Sequence, residues 1–344
     1  MEIAQLFDTA IWSLVIFGLV VELAILMIPF LRNRAVAQKF FIFVFFCQII
    51  VLYGSFVEPR MITVNYSNLF FEGKSLEKTQ QKRYFIPRKT PARDTAVRIA
   101  LVTDWHVGPY KQSDFVARAV KVIEELEPDV VLMPGDFIYN STDDVQFLEP
   151  LSTMTDIIPF YATLGNHDYH WSEQREHAGN DGRVGENDYS RANITALESY
   201  GVTVLENETI DINIDGHVVE LVGQEDWWSA TRPDVEEFFS DEKEDADRLS
   251  ILLQHNPDGA FFQTLPKNIE LVVSGHTHGG QIRLPFIGPL WDIPTEVGNE
   301  YDQGWFTLPD SSQKLFITHG IGETGPRARL FAWPEVVVFD IGNE

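Results

Sequence analysis

The chain has 344 residues, 44% of them hydrophobic, and a formal net charge of -25. This length accommodates one large domain with additional segments, or two domains. The single cysteine, Cys47, excludes an internal disulfide and a cysteine-based zinc site, so a bound metal requires His, Asp, Asn or Glu ligands. Most of the 51 acidic residues follow residue 99, and a body that negative is not expected to bind nucleic acid.

Two long apolar runs lie within the first 57 residues. Residues 10–30 are apolar apart from Ser13 and Glu22, and a helix of that length crosses a bilayer. Residues 40–57 are nearly as apolar, so we expect a two-helix transmembrane hairpin over residues 1–57. A cleaved signal peptide fits poorly because no basic residue precedes the first run. A buried helical pair in a soluble protein is the remaining alternative.

The charges around the two runs predict an orientation in the cell membrane. The intervening loop carries Arg32, Arg34 and Lys39, whereas the first nine residues carry no basic residue. The positive-inside rule places this loop in the cytoplasm and the rest of the chain, with its catalytic domain, outside. Basic residues between Arg60 and Arg98 favour the opposite orientation. The lipid bilayer is an expected partner in either case.

Residues 58–97 are polar and basic, with little helical periodicity. We expect them to form a connector between the transmembrane hairpin and a domain over residues 98–344. Two interpretations of the connector stay open, namely contact with anionic lipid head groups and a solvated linker.

From residue 98 onward, short apolar runs end in acidic residues or histidines. The first three recur at nearly equal intervals, and apolar side chains at helical spacing follow the first of them, which is typical of successive βαβ units. Six such runs occupy residues 98–104, 129–136, 159–168, 248–255, 268–278 and 314–320.

Glycines surround a pair of histidines in the stretch SGHTHGG, residues 274–280. Because glycine costs chain entropy and offers no side chain to pack, the cluster indicates a sharp turn or a close approach. On an extended segment His276 and His278 point to the same side, toward a common guest such as a metal ion. A polar hairpin with two solvated histidines is the alternative.

Ligands of open α/β sheets gather where the strands end. Seven residues at the ends of these runs offer four imidazoles, two carboxylates and one amide oxygen, which are too many for one ion and suit two ions that share a carboxylate. Nitrogen and oxygen ligands without sulfur suit Mn, Fe, Zn or Co, and two divalent ions leave positive charge for a phosphate group. The seven residues are Asp104, His106, Asp136, Asn166, His255, His276 and His278.

These residues stand in ordered blocks that resemble the calcineurin-like metallophosphoesterase family over roughly residues 98–340. The sequence that flanks these blocks is similar to the membrane-associated bacterial YkuE/YaeI-like branch of the family. The resemblance implies an α/β fold, a four-layer α/β/β/α sandwich with two mixed sheets, preceded here by the transmembrane hairpin. The blocks are Asp104-x-His106, Gly135-Asp136, Gly165-Asn166-His167-Asp168, a lone His255 and Gly275-His276-Thr277-His278.

The resemblance also implies roles. It makes His167 the group that stabilises the transition state or protonates the leaving oxygen, with Asp168 fixing its orientation. Water between two divalent ions loses a proton near neutral pH and attacks phosphorus in line. The first ion would be held by Asp104, His106, Asp136 and His278, and the second by Asp136, Asn166, His255 and His276.

We therefore predict a membrane-anchored dinuclear-metal phosphoesterase for phosphodiester bonds, or for phosphomonoester or pyrophosphate bonds, with lipid-linked substrates as one candidate class. The alternative is a catalytically silent metal-binding sensory or interaction module on the same fold. Retention of every ligand favours the enzyme. Two positions stay open: residues 169–191 either overhang the metals or form a surface excursion, and His319 either touches substrate or is an ordinary strand-end histidine.

Overall fold

Fifteen strands and seven α-helices are present in the computed structural model, which describes residues 3–27, 35–72, 75–85, 97–169, 189–228, 233–239 and 248–342. The helices are α1 Ile3–Met27, α2 Ala35–Leu52, α3 Ser113–Leu126, α4 Ser152–Thr155, α5 Ser190–Ser199, α6 Val235–Phe238 and α7 Gly259–Phe262. The strands are β1 Thr63–Glu72, β2 Ser75–Tyr84, β3 Val97–Leu101, β4 Val130–Pro134, β5 Phe160–Thr163, β6 Val202–Val204, β7 Glu208–Ile214, β8 His217–Gly223, β9 Leu249–Leu253, β10 Leu271–Ser274, β11 Arg283–Leu284, β12 Gly288–Pro289, β13 Gly304–Thr307, β14 Lys314–Ile317 and β15 Glu335–Gly342.

The strands form two large mixed sheets and one small hairpin. The first sheet has seven strands in the order β2-β1-β15-β3-β4-β5-β6, and the second has six in the order β13-β14-β10-β9-β8-β7. Strands β3 to β6 run parallel, as do β8, β9, β10 and β14, whereas β15 is antiparallel to β3. The carboxyl ends of the parallel strands therefore share one edge in each sheet.

Three apolar cores separate four layers of structure. Leu101 of the first sheet and Ile251 of the second belong to the core between the sheets. The alternate side chains point the other way, as the two-residue period of a strand requires. Ala100 packs in a core with Phe115 of α3, and Leu252 packs in a third core with α6 and α7. The predicted four-layer α/β/β/α sandwich is confirmed.

The prediction of a connector over residues 58–97 is wrong for residues 63–84, which form β1 and β2 and extend the first sheet. The two ends of β1 bury opposite faces of the same strand, which explains why the sequence pattern failed. Val64 and Tyr66 face the outer core, whereas Leu69 and Phe71 face the core between the sheets, so no single apolar alternation runs through the strand. Strand β2 is an edge strand with exposed basic side chains, which protects the edge from further pairing.

Two helices preceding the sheets are long and apolar enough to cross a membrane, namely Gln5–Ile25 and Ala37–Arg60. Little of either helix is buried inside the protein, and large side chains such as Phe17 and Phe43 are exposed. Gln48 of α2 donates a 3.0 Å hydrogen bond to the Val15 carbonyl of α1, which joins the two helices. The loop residues 28–34 lie outside the described residues.

These helices meet the sheets at the edge where the parallel strands end. Because β15 is antiparallel to β3 and parallel to β1, Thr63 at the start of β1 lies at the carboxyl end of β3. Arg327 forms a 3.2 Å ion pair with Asp8 of α1, and Arg329 donates a 2.8 Å backbone hydrogen bond to the carbonyl of Gly54. The start of α1 and the end of α2 therefore lie beside this edge.

Candidate metal centre

Every predicted site residue lies just beyond the carboxyl end of a strand. The nine residues converge at one edge between the two sheets, and all but His167 are buried. Asp104 and His106 follow β3, Asp136 follows β4, Asn166, His167 and Asp168 follow β5, His255 follows β9, and His276 and His278 follow β10.

Four of these side chains form a first buried group, Asp104, His106, Asp136 and His278, in which the ligand atoms lie within 4.8 Å of one another. The Nε2 atoms of His106 and His278 are 3.1 Å apart. The Nε2 of His106 is 3.4 Å from Oδ2 of Asp136, and the Nε2 of His278 is 3.4 Å from Oδ1 of Asp104. This arrangement of two imidazoles and two carboxylates suits one divalent cation.

A second group shares the carboxylate of Asp136 with the first and adds His255 and His276. The Nε2 of His255 is 3.1 Å from Oδ2 of Asp136 and 3.3 Å from Nδ1 of His276. Asn166 follows the neighbouring strand β5, and its buried Oδ1 has no hydrogen-bond partner among the described residues. The shared carboxylate joins the two groups into one centre.

Hydrogen bonds to backbone carbonyls orient the two imidazole rings of the second group. The Nδ1 of His255 lies 2.8 Å from the Pro134 carbonyl, and the Nε2 of His276 lies 2.7 Å from the Pro294 carbonyl. A carbonyl accepts only, so each of these ring nitrogens carries a proton, and the other ring nitrogen faces the centre, where it would bind a cation in its unprotonated form. Oδ2 of Asp104 is buried without a partner, and a bound cation would satisfy it.

The backbone is strained where the ligands are placed. A non-glycine residue at positive φ is uncommon, and such strain clusters at functional sites. Five of the ligands have positive φ, namely Asp104 (53°), His106 (40°), Asp136 (55°), His276 (69°) and His278 (52°).

Glycines around the ligands serve both purposes that the sequence predicts. Gly279 and Gly280 have φ values of 60° and 73°, so they form the sharp turn after His278. Gly275 has no unusual φ, but a Cβ there would overlap Oδ2 of Asp104. A Cβ on Gly165 would lie 2.5 Å from the backbone nitrogen of Asp136. Close approach is therefore the reason for these last two glycines.

Burial and the mutual charges shift the pKa values in the centre. Burial raises the pKa of Asp104 to about 7 and lowers the pKa values of His106 and His276 to about 3. Burial also disfavours a charged His255, but the carboxylates of Asp136 and Asp104 outweigh it and raise the pKa of His255 to about 10. The imidazoles of His106 and His276 are thus neutral at neutral pH, as metal ligands must be.

His167 lies beside the first group, with its ring centroid 4.6 Å from that of His106. Its Nδ1 donates a 2.8 Å hydrogen bond to the Tyr139 carbonyl, so the proton sits on Nδ1 and Nε2 is available for other chemistry. Its backbone N–H donates to Oδ1 of Asp136 at 2.9 Å. Tyr139, rather than the predicted Asp168, therefore orients the ring.

Asp168 holds the backbone beneath the centre. Its carboxylate accepts 2.9 Å hydrogen bonds from the N–H groups of Phe137 and Gly165, which flank Asp136 and Asn166 in the chain. The predicted contact between Asp168 and the ring of His167 is replaced by these backbone contacts, because the turn after β5 points the two side chains to different neighbours.

Arg329 is a residue that the sequence did not point to. It is completely buried, donates 2.8 to 3.0 Å hydrogen bonds to the carbonyls of Ala332, Gly322 and His319, and places Nη2 3.4 Å from Nδ1 of His278. The stretch PRARLF contains two arginines, and nothing in it distinguishes the buried Arg329 from Arg327. The charge of Arg329 lies close enough to Asp104 to lower the pKa of that carboxyl, against the effect of burial.

His319 is a buried strand-end histidine. Its Nδ1 lies 3.1 Å from the Trp333 carbonyl and its Nε2 lies 3.4 Å from Nη2 of Arg83, so both ring nitrogens have partners within the protein. These contacts favour the structural alternative over contact with substrate. Most of the polar segment 169–191 lies outside the described residues, which resume at residue 189.

The chain is similar in sequence to known metallophosphoesterases, which agrees with the chemistry of the candidate metal centre. The sequence profile of the family described as calcineurin-like phosphoesterase matches residues 97–280. The uncharacterized metallophosphoesterase YkuE of Bacillus subtilis is 32% identical over 251 residues, 71% of this chain and 78% of that protein. The phosphodiesterase YaeI of Escherichia coli is 27% identical over 248 residues, 71% of this chain and 82% of that protein.

An uncharacterized metallophosphoesterase of Helicobacter pylori is 26% identical over 272 residues, which are 78% of this chain but 64% of that relative's length. The family profile covers more than half of the chain, in the region that contains all nine site residues. The chain belongs to the calcineurin-like phosphoesterase family, as its motifs predicted.

Proposed function

We propose that this protein is a membrane-anchored, metal-dependent phosphoesterase with a dinuclear centre, and that it hydrolyses phosphodiester bonds. The observation that carries the proposal is the pair of buried ligand groups that share the carboxylate of Asp136. A carboxylate common to two groups of buried imidazoles has no use in a structural core, where each of these polar atoms would be expensive to bury.

The atoms that the ligand residues offer indicate which metal ions can bind. They are nitrogen and oxygen donors without sulfur, which suit Mn, Fe, Zn or Co. The first ion would take Asp104, His106, Asp136 and His278, and the second Asp136, Asn166, His255 and His276. Two divalent ions and two carboxylates leave a net charge of about +2, which favours an anionic phosphoester. Bound divalent ions supply Lewis acidity and a water of lowered pKa as the nucleophile.

His167 and Tyr139 serve the leaving group. The Tyr139 carbonyl fixes the His167 ring through Nδ1, which leaves Nε2 to hold a proton toward the leaving oxygen. Asp168 maintains the turn that carries His167 by accepting from Gly165 and Phe137. These contacts support a general acid in this position and favour an enzyme over a catalytically silent module.

The membrane anchor rests on the two exposed apolar helices. Their length and composition fit a bilayer, and the ion pair of Asp8 with Arg327 puts the start of α1 on the same side as the catalytic domain. The charges of Arg32, Arg34 and Lys39 then favour a domain outside the cytoplasm. A domain held at the bilayer makes lipid-linked phosphoesters a candidate class of substrate.

The activity is tested on the full chain in detergent, with bis-p-nitrophenyl phosphate as substrate. We expect about two bound divalent ions per chain by elemental analysis. Chelation should abolish hydrolysis and added Mn²⁺ should restore it. Undiminished hydrolysis after complete removal of metal contradicts the proposal, and bound metal without hydrolysis of any phosphoester identifies a silent module.

The orientation is tested separately on intact cells. Protease added outside should cleave the catalytic domain if the loop between α1 and α2 is cytoplasmic. Cleavage that requires lysis of the cells assigns the opposite orientation and leaves the chemistry of the centre unaffected.

A further inference from the structure

An exposed apolar hairpin stands out on a surface that is otherwise strongly acidic. Residues 284–291, which we term the apolar loop, have the sequence LPFIGPLW and include strand β12. Phe286 is completely exposed at its tip, and Ile287 is 75% exposed. A contiguous exposed apolar patch on a soluble surface marks a contact with a partner or a membrane. The large exposed side chains of the loop are Leu284, Phe286, Ile287, Leu290 and Trp291.

The backbone holds these side chains outward. Phe286 has a φ of 67°, an uncommon conformation for an aromatic residue, and Gly288 has a φ of 98°. Such strain is maintained where it serves a function. The turn thus presents Phe286 and Ile287 to the surroundings instead of folding them against the protein.

The apolar loop is anchored on the histidine pair of the metal centre. It follows the turn His278–Gly280, and a Cβ on Gly280 would lie 2.6 Å from Cβ of Pro289. Beyond the loop, the Pro294 carbonyl holds the ring of His276 at 2.7 Å. The apolar loop therefore lies close to His278 of the first ligand group and to His276 of the second.

The base of the apolar loop also adjoins the end of the second apolar helix. Arg283 donates a 2.9 Å backbone hydrogen bond to the Leu330 carbonyl, and the neighbouring Arg329 donates one of 2.8 Å to the Gly54 carbonyl. Phe331, itself 43% exposed, lines the same groove of about 730 Å³ as the loop. The apolar loop therefore lies on the same side of the protein as the end of α2.

We propose that the apolar loop inserts into the same bilayer that α1 and α2 cross, and that it holds the metal centre at the head-group layer to act on phosphodiesters of membrane lipids. The inference rests on the membrane anchor of the proposed function. Exposed Phe, Ile and Leu favour the outer hydrocarbon, and Trp291 favours the interface. The backbone contacts that join the base of the loop to the helix end favour the bilayer, rather than a second copy of the chain, as the partner.

Depth measurements on the full chain test the insertion. In a Cys47→Ser background, single cysteines at Ile287, Ile157 and Phe17 carry an environment-sensitive fluorophore. Each variant is placed in vesicles of phosphatidylcholine and phosphatidylglycerol that contain nitroxide-bearing lipid. Ile157 is the matched control, because it is the same residue type, is 77% exposed and lies before β5 at the opposite edge of the sheet.

We expect lipid nitroxides to quench the probes at positions 287 and 17 and to spare the probe at 157. Quenching at 17 but not at 287 overturns the insertion alone. Absence of quenching at 17 overturns the membrane anchor and with it this inference. A probe at 287 that is shielded from both lipid and water identifies a second copy or another protein as the partner, which also overturns it.

Activity measurements test the substrate class. The double variant Phe286→Asp and Ile287→Asp should hydrolyse a vesicle-embedded phosphatidyl-p-nitrophenol about tenfold more slowly than the wild type. It should retain wild-type hydrolysis of soluble bis-p-nitrophenyl phosphate, and Ile157→Asp should leave both rates unchanged. A wild type that cleaves only the soluble substrate, or equal rates for variant and wild type on vesicles, overturns the lipid assignment. A wild type inactive on both contradicts the proposed function instead.

Discussion

The two sheets contribute different chemistry to the same centre. The first supplies both carboxylates, the amide of Asn166 and the imidazole of His106, whereas the second supplies imidazoles alone. Each ligand group contains side chains from both sheets, so neither sheet is a binding site by itself. The metal centre is a property of the gap between the sheets, and the apolar core that packs them together sets its geometry.

Asp136 is the residue on which both halves depend, so its replacement should have the largest effect. Asp136→Asn keeps the size and tolerates the φ of 55°, but removes the shared charge. We expect loss of metal from both groups and hydrolysis reduced about a thousandfold, which corresponds to several kcal/mol of lost stabilisation. Elemental analysis and turnover of bis-p-nitrophenyl phosphate measure the two effects.

Asp215→Asn is the matched control, because Asp215 has a φ of 51° in the exposed turn between β7 and β8. It should keep full metal content and activity. An Asp136→Asn protein with normal metal content and rate would separate the two sheets in function and refute the shared site.

Variants that change a ligand of only one group test whether the two groups bind their metal ions independently. His106→Asn removes a ligand of the first group, and His276→Asn one of the second. Asparagine accommodates the positive φ of both positions. Each variant should lose about half of the bound metal and about a hundredfold in rate. If either one loses all of its metal, the centre loads as a single unit.

His167 should affect the rate without affecting the metal. His167→Asn removes the ring atom that holds a proton toward the leaving oxygen, and we expect loss of about a hundredfold with an alkyl leaving group. The loss should be smaller with p-nitrophenolate, which leaves without a proton. Comparison of kcat for the two esters, at unchanged metal content, checks this role. Equal losses for both esters would assign His167 to binding or to structure.

The smallest expected effect is the dependence of metal affinity and of stability on pH. Burial raises the pKa of Asp104 to about 7, and a metal ligand must be deprotonated. Below pH 7 the cation must therefore displace this proton as well as that of His255, and the Asp104 proton alone should lower its affinity about tenfold per pH unit. In the metal-free protein the same carboxyl lowers the free energy of unfolding as pH rises from about 4 to 7, because the unfolded chain has already released that proton.

The increase in Tm on addition of Mn²⁺ measures this linkage directly. It should be larger at about pH 8 than at about pH 6. Equal increases at the two pH values would show that Asp104 is already ionised in the metal-free protein.

Much of the centre could be predicted from the sequence. The ligands of both groups follow short apolar runs. These runs are strands of parallel sheets that are buried on both faces, as in β4 and β9, and such strands are recognisable in the sequence because nearly every residue is apolar. The glycines beside His276 and Asp136 mark the close approaches that a Cβ would block. The role of Asp168 was predicted incorrectly, because the sequence shows that two residues are adjacent but not which neighbour each side chain contacts.

The sequence by itself determined the order and chemistry of the ligands, the helix-length apolar runs and the family, since these depend on local spacing and residue type. Only the tertiary structure decided that β1 and β2 join the first sheet, that Tyr139 orients His167, that Arg329 is buried behind His278 and that the apolar loop adjoins the helix ends. These contacts join distant parts of the chain, as Asn65 and Glu335 show, which are 270 positions apart in the sequence. Packing of one layer against another selects them, and no local propensity specifies that packing.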